Sequence, residues 1–329
     1  MMLTKLTAQY LRLYRILYKG LPPIILDGKT LDRDTQLLLH MSRTLPDLSA
    51  NGIKMARRRV DLLAKLLGKV HLPTPLEVKN ESLPMGGNDK DVKVRRYKTS
   101  SAECSHTLLY FHGGGFSVGS LNSHDSLCRI LAAYGGVEVV SIDYPLAPES
   151  PYPAALETAI SAYEYFLKKQ PAESILMGGD SAGAHLTIET LLYLKKQSIP
   201  LPKMQLLIYP ATAGERDLTG SIESFGKDYF LTVETMLWFH EFYNAPEHLD
   251  FFKDLEGLSP ALVVTAGYDP LLDEGIRFQQ ALKDHGVQCQ HINFPGLIHG
   301  FTQMMGVVKE ARSAIEHVGQ EVRSLLDTK

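Results

Sequence analysis

The sequence is poor in the residues that hold disulfide-rich and metal-bound proteins together. Its 329 residues include only three cysteines. Cys104, Cys128 and Cys289 cannot form a disulfide framework, and none lies in a CxxC motif or in a Cys/His cluster with metal-site spacing. So few cysteines are typical of a reducing compartment. We therefore expect a cytoplasmic protein that needs neither a metal nor another cofactor.

Long apolar runs and an excess of one charge are also missing. The longest apolar stretches, such as residues 137–142, are short or interrupted, so the sequence predicts no transmembrane segment. A balance of 34 Lys and Arg against 37 Asp and Glu gives a net charge of −3, which offers no electrostatic attraction for nucleic acid. With 44% apolar and 22% charged residues, the composition is that of a soluble globular chain.

The first twenty residues carry four basic residues and no acidic one, as some targeting signals do. They lack the continuous apolar segment and the cleavage site of such a signal. Their apolar residues instead recur at helical spacing, namely Leu6, Tyr10, Leu13, Tyr14 and Leu17. We expect an amphipathic helix, and packing on the protein's own body is favoured over contact with an acidic membrane surface.

Beyond a helix-rich region up to residue 72, strand and helix patterns alternate. Val92 and Val94 stand between charged residues, as expected of a half-exposed edge strand. Further strands are predicted at 108–111, 137–142, 175–177, 205–209, 261–266 and 289–294. Helices are predicted between them at 123–134, after Pro153, at 182–196 and 273–285, and finally at 309–326. This alternation predicts an α/β fold with a mostly parallel central sheet and helices on both faces.

Residues 211–257 interrupt this alternation with a polar segment and an aromatic-rich helix. We expect an α/β core in residues 76–210 and 258–329, with residues 211–257 inserted as part of a helical cap. Residues 1–75 would form the N-terminal part of that cap. Open α/β sheets bind ligands at the carboxyl ends of their strands, which is the edge the cap would cover. The sequence leaves open whether the aromatic residues of the insertion line a pocket or form core: Tyr229, Phe230, Trp238, Phe239 and Phe242.

A serine lies in a tight turn between a predicted strand and a predicted helix. The segment Gly179-Asp180-Ser181-Ala182-Gly183 matches G-x-S-x-G, the nucleophile elbow of α/β-hydrolases. The serine of such a turn has a strained backbone, so its neighbours two positions away must lack bulk. Its hydroxyl projects above the sheet, and the following helix contributes backbone N–H groups.

A glycine run, His112-Gly113-Gly114-Gly115, directly follows the predicted strand 108–111. Acyl transfer develops negative charge on a carbonyl oxygen, and fixed N–H donors stabilise it. Glycines let the backbone approach the substrate with no side chain in the way. The alternative is a turn that merely needs positive φ. A phosphate-binding loop is not favoured, because neither G-x-G-x-x-G nor a GK[ST] ending is present.

A serine nucleophile needs a base, and the base needs a carboxylate. Of the twelve histidines, His299 is the best candidate because it follows the predicted strand 289–294 in a loop flanked by glycines. Asp269, just past the strand 261–266, fits the carboxylate role better than Asp273, which should lie inside a helix. Capping of that helix is the alternative role for Asp269. The order Ser181, Asp269, His299 is that of α/β-hydrolases.

Taken together, these motifs resemble the hormone-sensitive-lipase-like family of α/β-hydrolases, a group of esterases and lipases. The matching segments lie between about residues 76 and 305 and include Asp143-Tyr144-Pro145-Leu146-Ala147-Pro148-Glu149 and His299-Gly300-Phe301. The resemblance implies Ser181 as nucleophile, His299 as base and Asp269 as its partner. It also implies an oxyanion hole from Gly114 and Gly115 with Ala182, with Gly113 as a further candidate.

The sequence departs from the family pattern at two positions. Ala184 stands where a further glycine is usual, which would tighten the helix–strand packing or crowd the entrance. Pro145 replaces an arginine before Leu146, so we expect altered ion pairing in a segment where Asp143 and Glu149 have structural roles.

The sequence thus predicts a serine carboxylesterase for small esters with short to medium acyl chains. A lipase or a deacetylase/amidase with the same triad is the alternative. A ligand-binding protein without catalysis is disfavoured by the presence of His299. The sequence does not decide between a monomer and a homodimer.

Overall fold

The computed structural model describes residues 18–43, 46–72, 75–84, 91–99, 104–212, 220–246 and 251–327. The apolar residues of the helix predicted near the amino terminus, at positions 6–17, lie outside this part of the chain. Within the described ranges, no helix is both long enough and apolar enough to cross a bilayer.

Strands and helices alternate through the described part of the chain. The strands are β1 (Ile25–Leu26), β2 (Lys29–Thr30), β3 (Leu76–Leu83), β4 (Val92–Thr99), β5 (Thr107–Phe111), β6 (Glu138–Ile142), β7 (Ile175–Asp180), β8 (Met204–Ile208), β9 (Ala261–Tyr268) and β10 (Cys289–Ile298). The α-helices are α1 (Arg33–Ser42), α2 (Ile53–Leu67), α3 (Asp125–Gly135), α4 (Ala154–Leu167), α5 (Ala182–Lys196), α6 (Ser221–Phe225), α7 (Val233–Tyr243), α8 (Leu272–Asp284) and α9 (Lys309–Asp327).

One eight-stranded sheet organises the molecule, in the order β10-β9-β8-β7-β5-β6-β4-β3. The strands from β10 to β6 are parallel. The pair β3–β4 is antiparallel, and β4 runs antiparallel to β6. The predicted α/β-hydrolase fold, with a mostly parallel sheet, is confirmed.

Alternate side chains of the strands enter two separate apolar cores. Leu108 and Tyr110 of β5 face the core that α3 and α9 cover. Leu109 and Phe111 face the opposite core, which α4, α5 and α8 cover. Because both faces carry helices, the central strands are buried throughout, and every residue of β5, β7, β8 and β9 is buried. Such burial explains why they appear in the sequence as continuous apolar runs.

The prediction that Val92 and Val94 mark an edge strand is wrong. Their strand, β4, has neighbours on both sides, and β3 forms the edge of the sheet. The alternation has another cause: Val94 is fully buried in the core, while its neighbour Lys93 points to solvent. A period of two reports that one face of a strand is exposed, and it says nothing about the strand's position in the sheet.

Candidate active site

Ser181 occupies the tight turn between β7 and α5, as the motif predicts. Its backbone has φ +54° and ψ −117°, a conformation that is strained for a residue with a side chain. A Cβ atom on Gly183 would overlap the carbonyl oxygen of Phe111, and one on Gly179 would overlap the backbone of Gly183. The turn therefore closes only because both flanking positions are glycine.

The structure brings Ser181, His299 and Asp269 together, although 118 positions separate the serine from the histidine. The Ser181 hydroxyl lies 3.0 Å from Nε2 of His299. On the other side of the ring, Nδ1 lies 2.8 Å from Oδ2 of Asp269. A carboxylate can only accept this bond, so Nδ1 carries the proton and Nε2 is left to accept from the serine.

Each of the three residues stands at the carboxyl end of a parallel strand. Ser181 follows β7, Asp269 follows β9 and His299 follows β10. Asp269 is completely buried and His299 is 6% exposed. The other oxygen of Asp269 accepts from the backbone N–H of Leu271 at 2.7 Å, in the turn that precedes α8. Asp273 lies inside α8, as predicted, and does not contact the imidazole within the described structure.

Asp180, the residue before Ser181, organises the surrounding polar groups. Its Oδ1 accepts from the Tyr110 hydroxyl at 2.7 Å and from the N–H of Gly113 at 3.0 Å. Its Oδ2 accepts from the Tyr209 hydroxyl at 3.2 Å and lies 3.3 Å from Nε2 of His124. Burial alone would raise the pKa of Asp180, but the charge of His124 and these hydrogen bonds lower the pKa to about 2. The carboxylate is therefore ionised at neutral pH.

Tyr209 connects this carboxylate to the surroundings of His299. Its hydroxyl also bonds Thr302 Oγ1 at 2.6 Å, and its ring centroid lies 4.6 Å from that of His299. Sequence reasoning missed both Asp180 and Tyr209. The available signal was Asp180 itself, a charged residue at the end of a strand that is otherwise apolar. A buried charge is stable only where hydrogen-bond partners surround it.

The glycine run after β5 forms a turn whose N–H groups have different uses. The N–H of Gly113 is donated to Asp180, so it is not available to a substrate oxygen. Gly114 and Gly115 have φ values of +124° and +55°, which favour glycine. Among the hydrogen bonds of the described residues, none uses the N–H of Gly114, Gly115 or Ala182. Of the four expected oxyanion donors, these three therefore have an N–H group with no other acceptor among the described residues, and Gly113 does not.

His112 holds this turn from below. Its ring is buried and stacks on Tyr144 at a centroid distance of 4.4 Å. Nδ1 lies 2.8 Å from the carbonyl oxygen of Gly113. Burial lowers the pKa of His112 to about 3, and the neighbouring His124 contributes. A neutral imidazole whose Nδ1–H donates to Gly113 fits this environment.

A cavity of about 1060 Å³ opens above Ser181 and His299. Apolar side chains from α1, α2, α7 and the segment before α7 form much of its lining, among them Leu38, Leu63, Phe230, Leu231, Met236 and Phe239. A Cβ on Gly115 would overlap the Phe239 ring, so this side chain lies directly over the glycine turn. The rings of Trp238 and Phe242 instead pack on each other, with a distance of 4.9 Å between their centroids.

Ala184 is completely buried in the core that α4, α5 and α8 cover, and it does not belong to the cavity lining. Of the two effects expected at this position, tighter packing agrees with its place and crowding of the entrance does not. In the described part of the chain, no group of three His, Cys, Asp or Glu side chains is arranged to hold a metal ion.

Comparison with known proteins gives consistent matches. A family described as alpha/beta hydrolase fold matches residues 108–303. A carboxylic ester hydrolase, LipN, of Mycobacterium tuberculosis is 32% identical over 88% of this chain and 81% of its own length. An ethyl acetate hydrolase of Pseudomonas putida is 34% identical over 67% of this chain and 73% of its own. An acetyl esterase of Salmonella typhi is 29% identical over 85% and 91%.

Solved structures agree with these sequence matches. An ester hydrolase from the metagenome of Lake Arreo, solved with a bipyridine phosphonate derivative, superposes with a TM-score of 0.83 at 32% identity. The match covers 91% of this chain and all of that one. A hyperthermophilic esterase of Pyrobaculum calidifontis gives a TM-score of 0.80 at 32% identity, over 88% of this chain and 97% of that one.

Proposed function

The chain belongs to the α/β-hydrolase family and is a carboxylic ester hydrolase, and we propose that it cleaves esters with short to medium acyl chains through Ser181, His299 and Asp269. The observation that carries this proposal is the hydrogen-bonded series from the Ser181 hydroxyl through the His299 ring to the Asp269 carboxylate, at 3.0 and 2.8 Å. These distances suit proton transfer from the serine to a nearby base.

The reaction proceeds through an acyl-enzyme. Oγ of Ser181 attacks the ester carbonyl while Nε2 of His299 takes its proton, and the Asp269 carboxylate stabilises the imidazolium. The tetrahedral intermediate collapses as His299 returns the proton to the leaving alcohol. Water then attacks the acyl-enzyme with His299 again as base, which releases the carboxylic acid and restores the serine. No step in this sequence uses a metal or a cofactor.

The negative charge of the intermediate is held by the N–H groups of Gly114, Gly115 and Ala182. All three line the same cavity as Ser181: Gly114 and Gly115 lie on the glycine turn, and Ala182 is the first residue of α5. Gly113 has a separate role, because its N–H fixes the turn on Asp180. Fixed donors of this kind supply a large share of the rate enhancement of acyl transfer.

The cap is proposed to shape the space for the two arms of the ester. Residues 1–75 and 211–257 supply it, and the core of residues 76–210 and 258–329 supplies the catalytic groups. Apolar lining over the serine suits an alkyl chain. The names of two relatives, an ethyl acetate hydrolase and an acetyl esterase, support a short acyl group. A cytoplasmic location stays a prediction.

Replacement of the nucleophile tests the proposal. Ser181→Ala should fold normally and lose at least about 1,000-fold of the kcat for p-nitrophenyl butyrate. A phosphonate ester should label wild type once per chain, at Ser181. Ser105→Ala, at an exposed serine just before β5, is the matched control and should retain full activity. An unchanged rate in Ser181→Ala, or a label on another residue, would contradict the proposal.

A further inference from the structure

Arg57 of cap helix α2 reaches across to the glycine turn and to the segment after β6. Its Nε donates to the carbonyl oxygen of Ser117 at 2.8 Å, and Nη2 donates to that of Ala147 at 2.8 Å. The guanidinium also forms a bidentate ion pair with Glu149, with Nη1 2.9 Å from Oε1 and Nη2 2.6 Å from Oε2. These partners lie 60, 90 and 92 positions further along the chain.

Ser117 belongs to the turn that holds the proposed oxyanion donors. The N–H groups of Ser117 and Val118 both donate to the carbonyl oxygen of Gly114, at 3.0 and 2.9 Å. A peptide group is planar, so the carbonyl of one residue and the N–H of the next turn together. Whatever orients the Gly114 carbonyl therefore also orients the Gly115 N–H, in the opposite direction.

The planarity of the peptide group also applies to the Ser117–Val118 peptide. The Ser117 carbonyl that accepts from Arg57 shares its plane with the N–H of Val118. Two peptide groups thus connect Arg57 to the oxyanion hole: Ser117–Val118, and then Gly114–Gly115. The positive charge of Arg57 next to the Ser117 carbonyl also polarises both peptide groups. This polarisation makes the Gly115 N–H a stronger hydrogen-bond donor.

Nothing in residues 144–149 replaces this cation, because the segment Tyr144-Pro145-Leu146-Ala147-Pro148-Glu149 contains no basic residue. The Ala147 N–H donates to the Phe116 carbonyl at 2.9 Å. One guanidinium therefore holds both the glycine turn and the segment that supports it. Hydrogen bonding to Arg57 lowers the pKa of Glu149.

We propose that Arg57 is a positioning residue that aims the Gly115 N–H at the oxyanion through two peptide groups, and that it thereby couples the cap to catalysis. This inference rests on the proposed function. Arg57 touches no reacting atom. Its effect belongs to the transition state, where the negative charge on the carbonyl oxygen is greatest.

Three variants separate positioning from a general role in folding. Arg57→Ala removes these contacts, and Arg57→Lys keeps the cation but not the planar fork that reaches four acceptor oxygens on three residues. Arg58→Ala removes the neighbouring, exposed arginine and is the matched control. For each variant, kcat and KM with p-nitrophenyl butyrate are measured per active site, as counted by phosphonate labelling of Ser181. The inhibition constant of a trifluoromethyl ketone, which forms an oxyanion with the serine, is measured alongside.

We expect Arg57→Ala to lower kcat per labelled site by about 10-fold to 100-fold, with KM within about threefold of wild type. The ketone should bind more weakly by the same factor as kcat/KM falls. Arg57→Lys should lie between Arg57→Ala and wild type, and Arg58→Ala should equal wild type. Addition of guanidinium ion should restore part of the activity of Arg57→Ala.

A loss of labelled sites with unchanged kcat per site would overturn the inference, because it would mean that Arg57 only supports folding. Equal kcat and ketone affinity in Arg57→Ala and Arg58→Ala would overturn it as well. If Arg57→Ala does not fold, the same comparison is made with Arg57→Lys. Failure of wild type to be labelled at Ser181 would instead reject the proposed function, so the two failures are distinguishable.

Discussion

At the scale of the residue, Asp180 explains how one motif position supports the whole site. It is the unspecified second residue of G-x-S-x-G, yet it accepts hydrogen bonds from β5, from the glycine turn and from Tyr209. The motif alone predicts the nucleophile and its flanking glycines. It could not predict that Gly113 is engaged, because that depends on a carboxylate 67 positions away.

Glu189 is a buried acid of α5 that the proposed mechanism does not use. It is 6% exposed, and Oε2 lies 3.9 Å from Nε2 of His185. Tyr152 donates a hydrogen bond to it, and Tyr243 also faces it. Burial raises the pKa of Glu189 from 4.5 to about 7, and the Tyr152 hydrogen bond opposes that rise only in part.

This shift predicts a pH dependence of stability with a definite sign. Between pH 4.5 and 7 the folded chain holds a proton that the unfolded chain has released, so stability falls as the pH rises through this window. From pH 5 to pH 8, wild type should lose about 2 kcal/mol of unfolding free energy relative to Glu189→Gln. Urea unfolding of wild type and Glu189→Gln at pH 5 and pH 8 measures this difference in unfolding free energy. A constant difference between them would contradict the prediction.

At the scale of the element, the two segments of the proposed cap are joined at Asp47. Its carboxylate accepts from the hydroxyls of Thr232 and Thr235 at 3.0 and 2.8 Å, and from the N–H of Ser49 at 3.0 Å. Thr232 is the N-cap of α7, and its oxygen accepts from the Thr235 N–H. A carboxylate at this end of a helix also interacts favourably with the helix dipole.

Asp47→Ala should therefore loosen α7. We expect about 1 kcal/mol less unfolding free energy and faster amide hydrogen exchange in residues 233–243. Glu241→Ala, which removes an exposed acid from the same helix, is the control and should leave both values close to those of wild type. Equal exchange rates in the two variants would show that Asp47 does not hold the helix.

The sequence predicted most elements of the core, and its errors have physical causes. Helix α5 begins and ends at the predicted residues 182 and 196. Strand β10 runs past its predicted end at Phe294 because Pro295 and Gly296 form an irregularity, after which Ile298 pairs with Tyr268. The prediction ended the strand at Phe294 because proline and glycine favour turns. In the structure the strand continues to Ile298, and this places His299 next to Ser181.

The small hairpin β1–β2 was missed entirely. It turns at Asp27-Gly28, which have φ values of +52° and +72°. An Asp-Gly pair is a strong signal for a two-residue hairpin turn. The flanking strands have only two residues each, too few to show the alternation by which strands are recognised.

At the scale of the whole molecule, the size of the cavity bears on the substrate. About 1060 Å³ above the serine exceeds what an acetyl group fills, and each further buried methylene contributes about 0.8 kcal/mol. We expect kcat/KM for p-nitrophenyl esters to rise from acetate and to peak between about four and eight carbons. Tributyrin should be hydrolysed without a jump in rate at its solubility limit. A peak at palmitate, or such a jump, would favour a lipase.

The contact between the two segments of the proposed cap, at Asp47 and Thr232, limits how the substrate specificity of this chain could be changed by recombination. Since one piece precedes the sheet and the other is inserted within it, a recombination event that transfers a single stretch of gene brings only half of the enclosure. The transferred segment would then face a cap segment from the other parent at the position where Thr232 now donates a hydrogen bond to Asp47. Transfer of the whole proposed enclosure from a relative would therefore require two coordinated replacements, with the central sheet kept from one parent.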